Sequence, residues 1–218
     1  MIDLIIFDCD GVLVDSEVVG NRVFAEYLSV QGYPHSAQQC NAKYLGMSHV
    51  HVLKLFENSG RSLPDTFLRD INNIIDDELS KNLEPISGVE TILKSIDIPY
   101  CVASSGTPAK IQNSLTKTGL IKYFDGHLFS FEQVENGKPA PDLFLFAADQ
   151  MGADPARTIV VEDSKAGVIA GVSAGMTVVG FTGGSHISVG HEQSLLDLGA
   201  HHILTDMREF NDLLVSLS

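Results

Sequence analysis

In Leu4-Ile5-Ile6-Phe7-Asp8-Cys9-Asp10-Gly11, near the start of the chain, an apolar run ends in two carboxylates. Such a run predicts a buried strand, and open α/β sheets bind ligands at the carboxyl ends of their strands. Residues two apart on an extended chain project to the same side, so Asp8 and Asp10 can face one ligand, and Gly11 allows a sharp turn. One carboxylate could attack while the other moves protons. A buried strand followed by a solvated acidic turn fits the same letters.

Composition indicates an ordinary globular protein and argues against large anionic partners. The chain has 218 residues, of which 44% are hydrophobic, enough to bury a full core. Its 14 basic and 28 acidic residues give a formal charge of -14, so we expect no nucleic-acid partner and no membrane partner, since either requires a basic face. An anionic substrate would need local positive charge from a metal ion, a lysine or helix N-termini.

Cysteine usage and the start of the chain bear on the compartment. Cys9, Cys40 and Cys101 lie far apart without metal-ligand spacing, so we expect reduced thiols. Met1 leads directly into the first apolar strand, with no charged leader or apolar stretch long enough to cross a bilayer. We therefore expect a cytoplasmic protein.

Short apolar runs alternate with helical patterns along most of the chain. This alternation predicts an α/β fold, a Rossmann-like parallel sheet with helices on both faces. The predicted strands are residues 2–7, 98–103, 126–130, 157–161, 176–181 and 201–204.

A helical insert separates the first two predicted strands. Four segments between them carry apolar residues at helical spacing without an intervening strand. They are residues 18–31, 37–44, 49–58 and 65–82. We therefore assign 16–82 to an α-helical cap domain, and 1–15 with 83–218 to the α/β core. The connections at 14–16 and 83–88 are short, which predicts a hinge and a cap that acts as a lid.

Ser104 and Ser105 follow the apolar run 100–103, and 106–108 (Gly-Thr-Pro) then opens a helix. A hydroxyl and free backbone N–H groups at a helix start form an anion-binding geometry. A capped helix without a ligand is the other interpretation, because serine and threonine are ordinary caps.

Two further segments carry charged residues that could take part in a site. Lys138 lies in 137–142, where two prolines stiffen the backbone and make the lysine a well-placed point charge, although a solvated surface lysine has the same pattern. Glu162 and Asp163 follow the buried-looking strand 158–161. Two acidic pairs close together would repel unless a cation separated them, and an oxygen-rich cluster suits Mg²⁺.

Taken in order, these motifs resemble the four motifs of the haloacid dehalogenase superfamily, and the resemblance covers essentially the whole chain. They are Asp-x-Asp-Gly-Val at 8–12, Ser104, Lys138 before Pro-x-Pro-Asp, and Glu162-Asp163-Ser164 with Gly167. The helical insert resembles that superfamily's small cap of the first type. The chain is similar to the sugar-phosphate phosphatases and β-phosphoglucomutase-like proteins of the superfamily.

The resemblance implies a phosphatase that works through an aspartyl-phosphate. Asp8 would be the nucleophile, and Asp10 would be the general acid and then the general base. Ser104 and Lys138 would bind the transferring phosphoryl group and offset its charge. The implied Mg²⁺ ligands are the Asp8 carboxylate, the Asp10 backbone carbonyl, Asp163 and, directly or through a water, Glu162. Backbone N–H groups near Gly11 and Ser105 would complete the phosphate cradle.

The resemblance also implies that the cap selects the substrate. The segment Leu45-Gly46-Met47-Ser48 is similar to the family's cap loop, and Gly46 is the best candidate contact because a missing side chain permits close approach. Few cap residues suit a large planar group, so we expect a small sugar phosphate or sugar-acid phosphate such as 6-phosphogluconate. The resemblance and the acidic surface are compatible with a monomer.

The sequence is compatible with other activities to different degrees. Dehalogenases of the superfamily need neither Asp10 nor the acidic pair 162–163, which argues against carbon-halogen cleavage. A β-phosphoglucomutase-like enzyme typically has a threonine and a histidine where this chain has Ser16 and Gly20, and this departure argues against a phosphomutase. A phospho-accepting signalling module shares the aspartates, hydroxyl and lysine, but a durable phosphoaspartate needs no acid/base beside it. A catalytically inert binding protein on the same scaffold is the last alternative.

The remaining glycines and histidines predict little chemistry. We expect Gly167 and Gly171 to serve helix packing, and Gly183-Gly184-Ser185 to be a mobile connection, since no Lys-Ser/Thr pair follows it. His186 and His191 lack metal-ligand spacing and are expected at the surface or as caps.

Overall fold

The structure is a computed structural model that describes residues 2–44 and 49–217. Its strands are β1 (Leu4–Phe7), β2 (Tyr100–Ser104), β3 (Leu128–Ser130), β4 (Thr158–Glu162), β5 (Thr177–Phe181) and β6 (His202–Leu204). They form one parallel sheet in the order β3-β2-β1-β4-β5-β6. The predicted α/β fold with a parallel sheet is confirmed, and the strand bounds differ from the predicted ones only at their ends.

The strand order creates a switch point beside β1. From β1 the chain builds outward through β2 and β3, and then returns to add β4 on the other side of β1. Phe7 at the end of β1 is in register with Val102 of β2 and Val161 of β4. Doubly wound sheets bind ligands in the crevice at such a reversal, outside the carboxyl ends of the strands. The residues that follow β1 and β4 therefore lie at the expected binding edge.

Ten α-helices are described within these ranges. They are α1 (Ser16–Val30), α2 (Ala37–Tyr44), α3 (His49–Asn58), α4 (Phe67–Asn82), α5 (Val89–Leu93), α6 (Pro108–Lys117), α7 (Asp142–Gln150), α8 (Lys165–Ser173), α9 (His191–Asp197) and α10 (Phe210–Leu217). Phe144 of α7 and Val168 of α8 join Ile6 and Val160 in one buried cluster. Gly171 of α8 permits close approach to the sheet, because a Cβ there would lie 2.7 Å from a methyl of Val178.

The chain divides into two compact units, residues 1–15 with 84–218, and residues 16–83. The first contains the sheet. The second consists of α1 to α4, and its core includes Phe67, whose ring centroid lies 6.2 Å from that of Phe24 and 5.6 Å from that of Tyr27. None of the described helices combines the length and apolarity that crossing a membrane requires.

Candidate active site

Asp8, Lys138 and Glu162 form a buried ion-pair cluster at the carboxyl ends of β1 and β4. The Lys138 Nζ lies 2.7 Å from Oδ1 of Asp8 and 2.7 Å from Oε1 of Glu162. It also donates a hydrogen bond to the backbone carbonyl of Ala103, at 3.0 Å. The lysine is thus shared between two carboxylates from neighbouring strands, and it is not a solvated surface residue.

Charge and burial have opposing effects on the pKa values of Lys138 and Asp8. Burial lowers the pKa of Lys138, but the charges of Asp8 and Glu162 outweigh it, so that the pKa lies above its ordinary value. Burial raises the pKa of Asp8 well above its ordinary range, Lys138 opposes this, and Glu162 and Asp163 add to it. Additional positive charge beside Asp8 would therefore favour its ionised form.

Glu162 is held at both carboxylate oxygens. Oε1 faces Lys138, and Oε2 accepts hydrogen bonds from the backbone N–H of Ser164 at 2.8 Å and from its hydroxyl at 2.9 Å. Ser164 also caps α8, because its hydroxyl accepts from the N–H of Gly167 at 3.0 Å. The start of α8 therefore fixes the side chain that orients Lys138.

Asp8, Glu162 and Asp163 could hold a metal ion together. One carboxylate oxygen of each lies within 4.8 Å of the others, and all three residues are buried. Three close carboxylates repel one another, and a donor set made only of oxygen suits a hard divalent cation. The residues present therefore fit a divalent metal.

Asp10 lies beside Lys110, a cation outside the motifs that the sequence shows. Its Oδ2 is 2.8 Å from Nζ of Lys110, in the first turn of α6. Gly11 follows with φ +81°, and a Cβ there would lie 2.0 Å from Oδ2 of Asp163. Only glycine can therefore make this turn while Asp163 keeps its position. The one sequence signal for Lys110 was its place in the helix that begins after the predicted anion-binding loop.

Ser104 ends β2, the strand beside β1, and is buried. Its hydroxyl oxygen accepts from the N–H of Gly106 at 3.1 Å, while the hydroxyl of Ser130 donates to the Gly106 carbonyl at 2.7 Å. Two buried hydroxyls thus clamp the loop that precedes α6. Ser105 is exposed in the same loop. The remaining candidate, Gly46, lies outside the described residues.

Two histidines contact Asp163, against expectation. The Nε2 of His186 lies 2.8 Å from Oδ2 of Asp163, and the Nε2 of His191 lies 2.6 Å from its backbone carbonyl oxygen. The sequence predicts His186 at the surface or as a cap; it is only 4% exposed, so the surface alternative is wrong. The contact joins the end of β4 to the segment between β5 and α9, and no local pattern in the sequence announces it.

Comparison with known proteins gives concordant matches. Residues 5–181 match the family described as haloacid dehalogenase-like hydrolase. The chain is 31% identical over 191 residues to 6-phosphogluconate phosphatase of Escherichia coli K12, covering 85% of each protein.

Solved structures match over nearly the whole chain. A conserved haloacid dehalogenase-like protein of unknown function from Agrobacterium tumefaciens superposes with a TM-score of 0.94 at 35% identity, covering 100% of this chain and 99% of that one. A hydrolase of the same family from Deinococcus radiodurans, solved with bound phosphate and sodium, gives a TM-score of 0.86 at 30% identity, covering 99% and 96%. With its motif residues gathered at the switch point of the sheet, this chain belongs to the haloacid dehalogenase-like hydrolases.

Proposed function

We propose that the protein is a Mg²⁺-dependent phosphatase of a small phosphorylated metabolite, a sugar phosphate or a sugar-acid phosphate such as 6-phosphogluconate. The observation that carries this proposal is the buried Asp8 carboxylate, held 2.7 Å from Lys138, with the second carboxylate of Asp10 two residues on. The likeness to 6-phosphogluconate phosphatase supports the substrate class.

In the first half-reaction, a carboxylate oxygen of Asp8 attacks phosphorus and the bond from phosphorus to the ester oxygen breaks. Asp10 donates a proton to the departing alcohol, and the phosphoryl group remains on Asp8 as an aspartyl-phosphate. Lys138 orients Asp8 and offsets negative charge on the transferring group, and the Ser104 hydroxyl donates to a phosphoryl oxygen.

In the second half-reaction, a water attacks the phosphorus of the aspartyl-phosphate. The water gives its proton to the Asp10 carboxylate, the bond from phosphorus to the Asp8 oxygen breaks, and inorganic phosphate leaves. Lys110, at 2.8 Å from Asp10, orients the carboxylate that serves as acid and then as base. The enzyme returns to its starting state.

Magnesium would be held by the carboxylates of Asp8 and Asp163 and by the backbone carbonyl of Asp10, with Glu162 binding directly or through a water. When bound, the ion supplies positive charge that offsets the charge of the phosphoryl group. In this proposal the segment 16–82 is a cap that selects the substrate, and the protein is a cytoplasmic monomer.

The experiment is phosphate release from a panel of phosphorylated sugars, sugar acids and nucleotides, with Mg²⁺ and with a chelator. Metal-dependent release focused on sugar or sugar-acid phosphates is the expected result. Isomerisation of a sugar phosphate without phosphate release would identify a phosphomutase. Release that is unchanged by the chelator would refute the metal requirement.

A further inference from the structure

We infer that His186 is a positioning residue that holds the Asp163 carboxylate for the metal and so sets the metal affinity. This inference rests on the metal site of the proposed function. His186 lies outside the four motifs that the chain shares with its family.

The imidazole of His186 occupies a slot between two glycines. A Cβ on Gly11 would lie 3.0 Å from the ring atom Cε1, and a Cβ on Gly184 would lie 2.6 Å from the same atom. The Nε2 atom lies 2.8 Å from Oδ2 of Asp163. The ring is therefore confined by the backbone of two separate loops, with one nitrogen directed at a candidate metal ligand.

The segment that carries His186 is attached at further points. His191, at the start of α9, contacts the backbone carbonyl oxygen of Asp163 through its Nε2 at 2.6 Å. The Ser185 hydroxyl donates to the carboxylate of Asp15. The backbone and the side chain of Asp163 are thus each held by a histidine of the segment that leads from β5 into α9.

Fixing a ligating carboxylate strengthens metal binding, because less side-chain freedom remains to be lost when the ion arrives. Partners that orient metal ligands typically contribute about 10–100-fold in affinity. His186 uses its Nε2 on Oδ2 of Asp163, which suits orientation of the carboxylate. Direct ligation by imidazole would instead favour softer metals such as zinc or copper.

The test measures metal binding without turnover. The dissociation constants of Mg²⁺ by calorimetry and of Mn²⁺ by electron paramagnetic resonance are compared for the wild type, His186→Ala, His186→Gln and His186→Asn. The control is His127→Ala, an exposed histidine of the same unit. We expect about 10–100-fold weaker binding for His186→Ala and for His186→Asn, whose amide reaches only the Nδ1 position. His186→Gln, whose amide reaches the Nε2 position, recovers most of the affinity, and the control stays at the wild-type value.

A second measurement is the Mg²⁺ concentration that gives half-maximal phosphate release. In His186→Ala this concentration rises in step with the dissociation constant, while kcat at saturating Mg²⁺ changes little. Unchanged Mg²⁺ and Mn²⁺ affinities in His186→Ala overturn the inference. If His186→Ala does not fold, equal affinities of the Gln and Asn variants overturn it. Because binding is read directly, an absence of phosphatase activity would refute the proposed function and leave this result standing.

Discussion

The Glu162 carboxylate occupies the space where any residue other than glycine at position 167 would place its Cβ. A Cβ on Gly167 would lie 1.7 Å from Oε1 of Glu162, the oxygen that faces Lys138. Gly167→Ala must therefore displace the carboxylate and disturb the lysine that it orients. We expect a loss of about 1–3 kcal/mol in the free energy of unfolding and a fall in kcat of about 100-fold. Urea unfolding and steady-state rates check both, and wild-type values would contradict this placement of Glu162.

An alanine substitution at a second helical glycine should change the free energy of unfolding in the opposite direction. Gly20 lies within α1, and a Cβ there would meet no heavy atom within 4 Å. Gly20→Ala should raise the free energy of unfolding by about 0.5–1 kcal/mol, because alanine is the better helix former. An equal loss of stability in both glycine variants would show that Gly167 is no more crowded than Gly20.

Lys138→Met removes the cation that two buried carboxylates share. Breaking a buried pair from one side costs about 3–5 kcal/mol, and loss of a group that stabilises transition-state charge lowers kcat by about 10²–10³-fold. Unfolding and turnover are compared with Lys117→Met, an exposed lysine in the last turn of α6. A Lys138→Met enzyme with the stability and turnover of the control would show that the lysine is peripheral.

The three thiols should react slowly in the native protein. Cys9, Cys40 and Cys101 are free and buried. Burial raises the pKa of each thiol, and the nearby Asp10 and Asp8 raise that of Cys9 further. At about pH 8.5, where an ordinary cysteine is half ionised, little thiolate is present to attack Ellman's reagent. Colour should develop slowly until denaturant is added and then account for all three thiols; rapid labelling of the native protein would contradict the burial.

The sequence predicts the sheet, and the sheet edge that carries Asp8 and Glu162, because both depend on local patterns. Apolar runs such as Leu4–Phe7 identify buried strands. A parallel sheet then brings the residues at the carboxyl end of each strand to one edge, so the sequence alone predicts that Asp8 and Glu162 lie near each other.

The partners of these residues could not be predicted in the same way. Lys110 and Asp10 are 100 residues apart in the chain, and the two are joined only by the way α6 packs. His186 reaches Asp163 from a segment whose glycines suggested mobility, whereas Gly184 in fact makes room for the imidazole ring. Contacts of this kind depend on tertiary packing, which residue spacing does not encode.

In the proposed mechanism, catalysis passes through a phosphoryl group on Asp8. The most direct measurement is acid quenching during turnover, followed by peptide mass spectrometry, in the wild type, Asp8→Asn and Asp10→Asn, with Mg²⁺ and a substrate found in the panel. We expect a phosphorylated Asp8 peptide in the wild type or the Asp10→Asn enzyme, and a fall in turnover of at least about 10³-fold in Asp8→Asn. Turnover near the wild-type rate in a folded Asp8→Asn enzyme, with no phosphorylated peptide in any variant, would contradict the proposed mechanism.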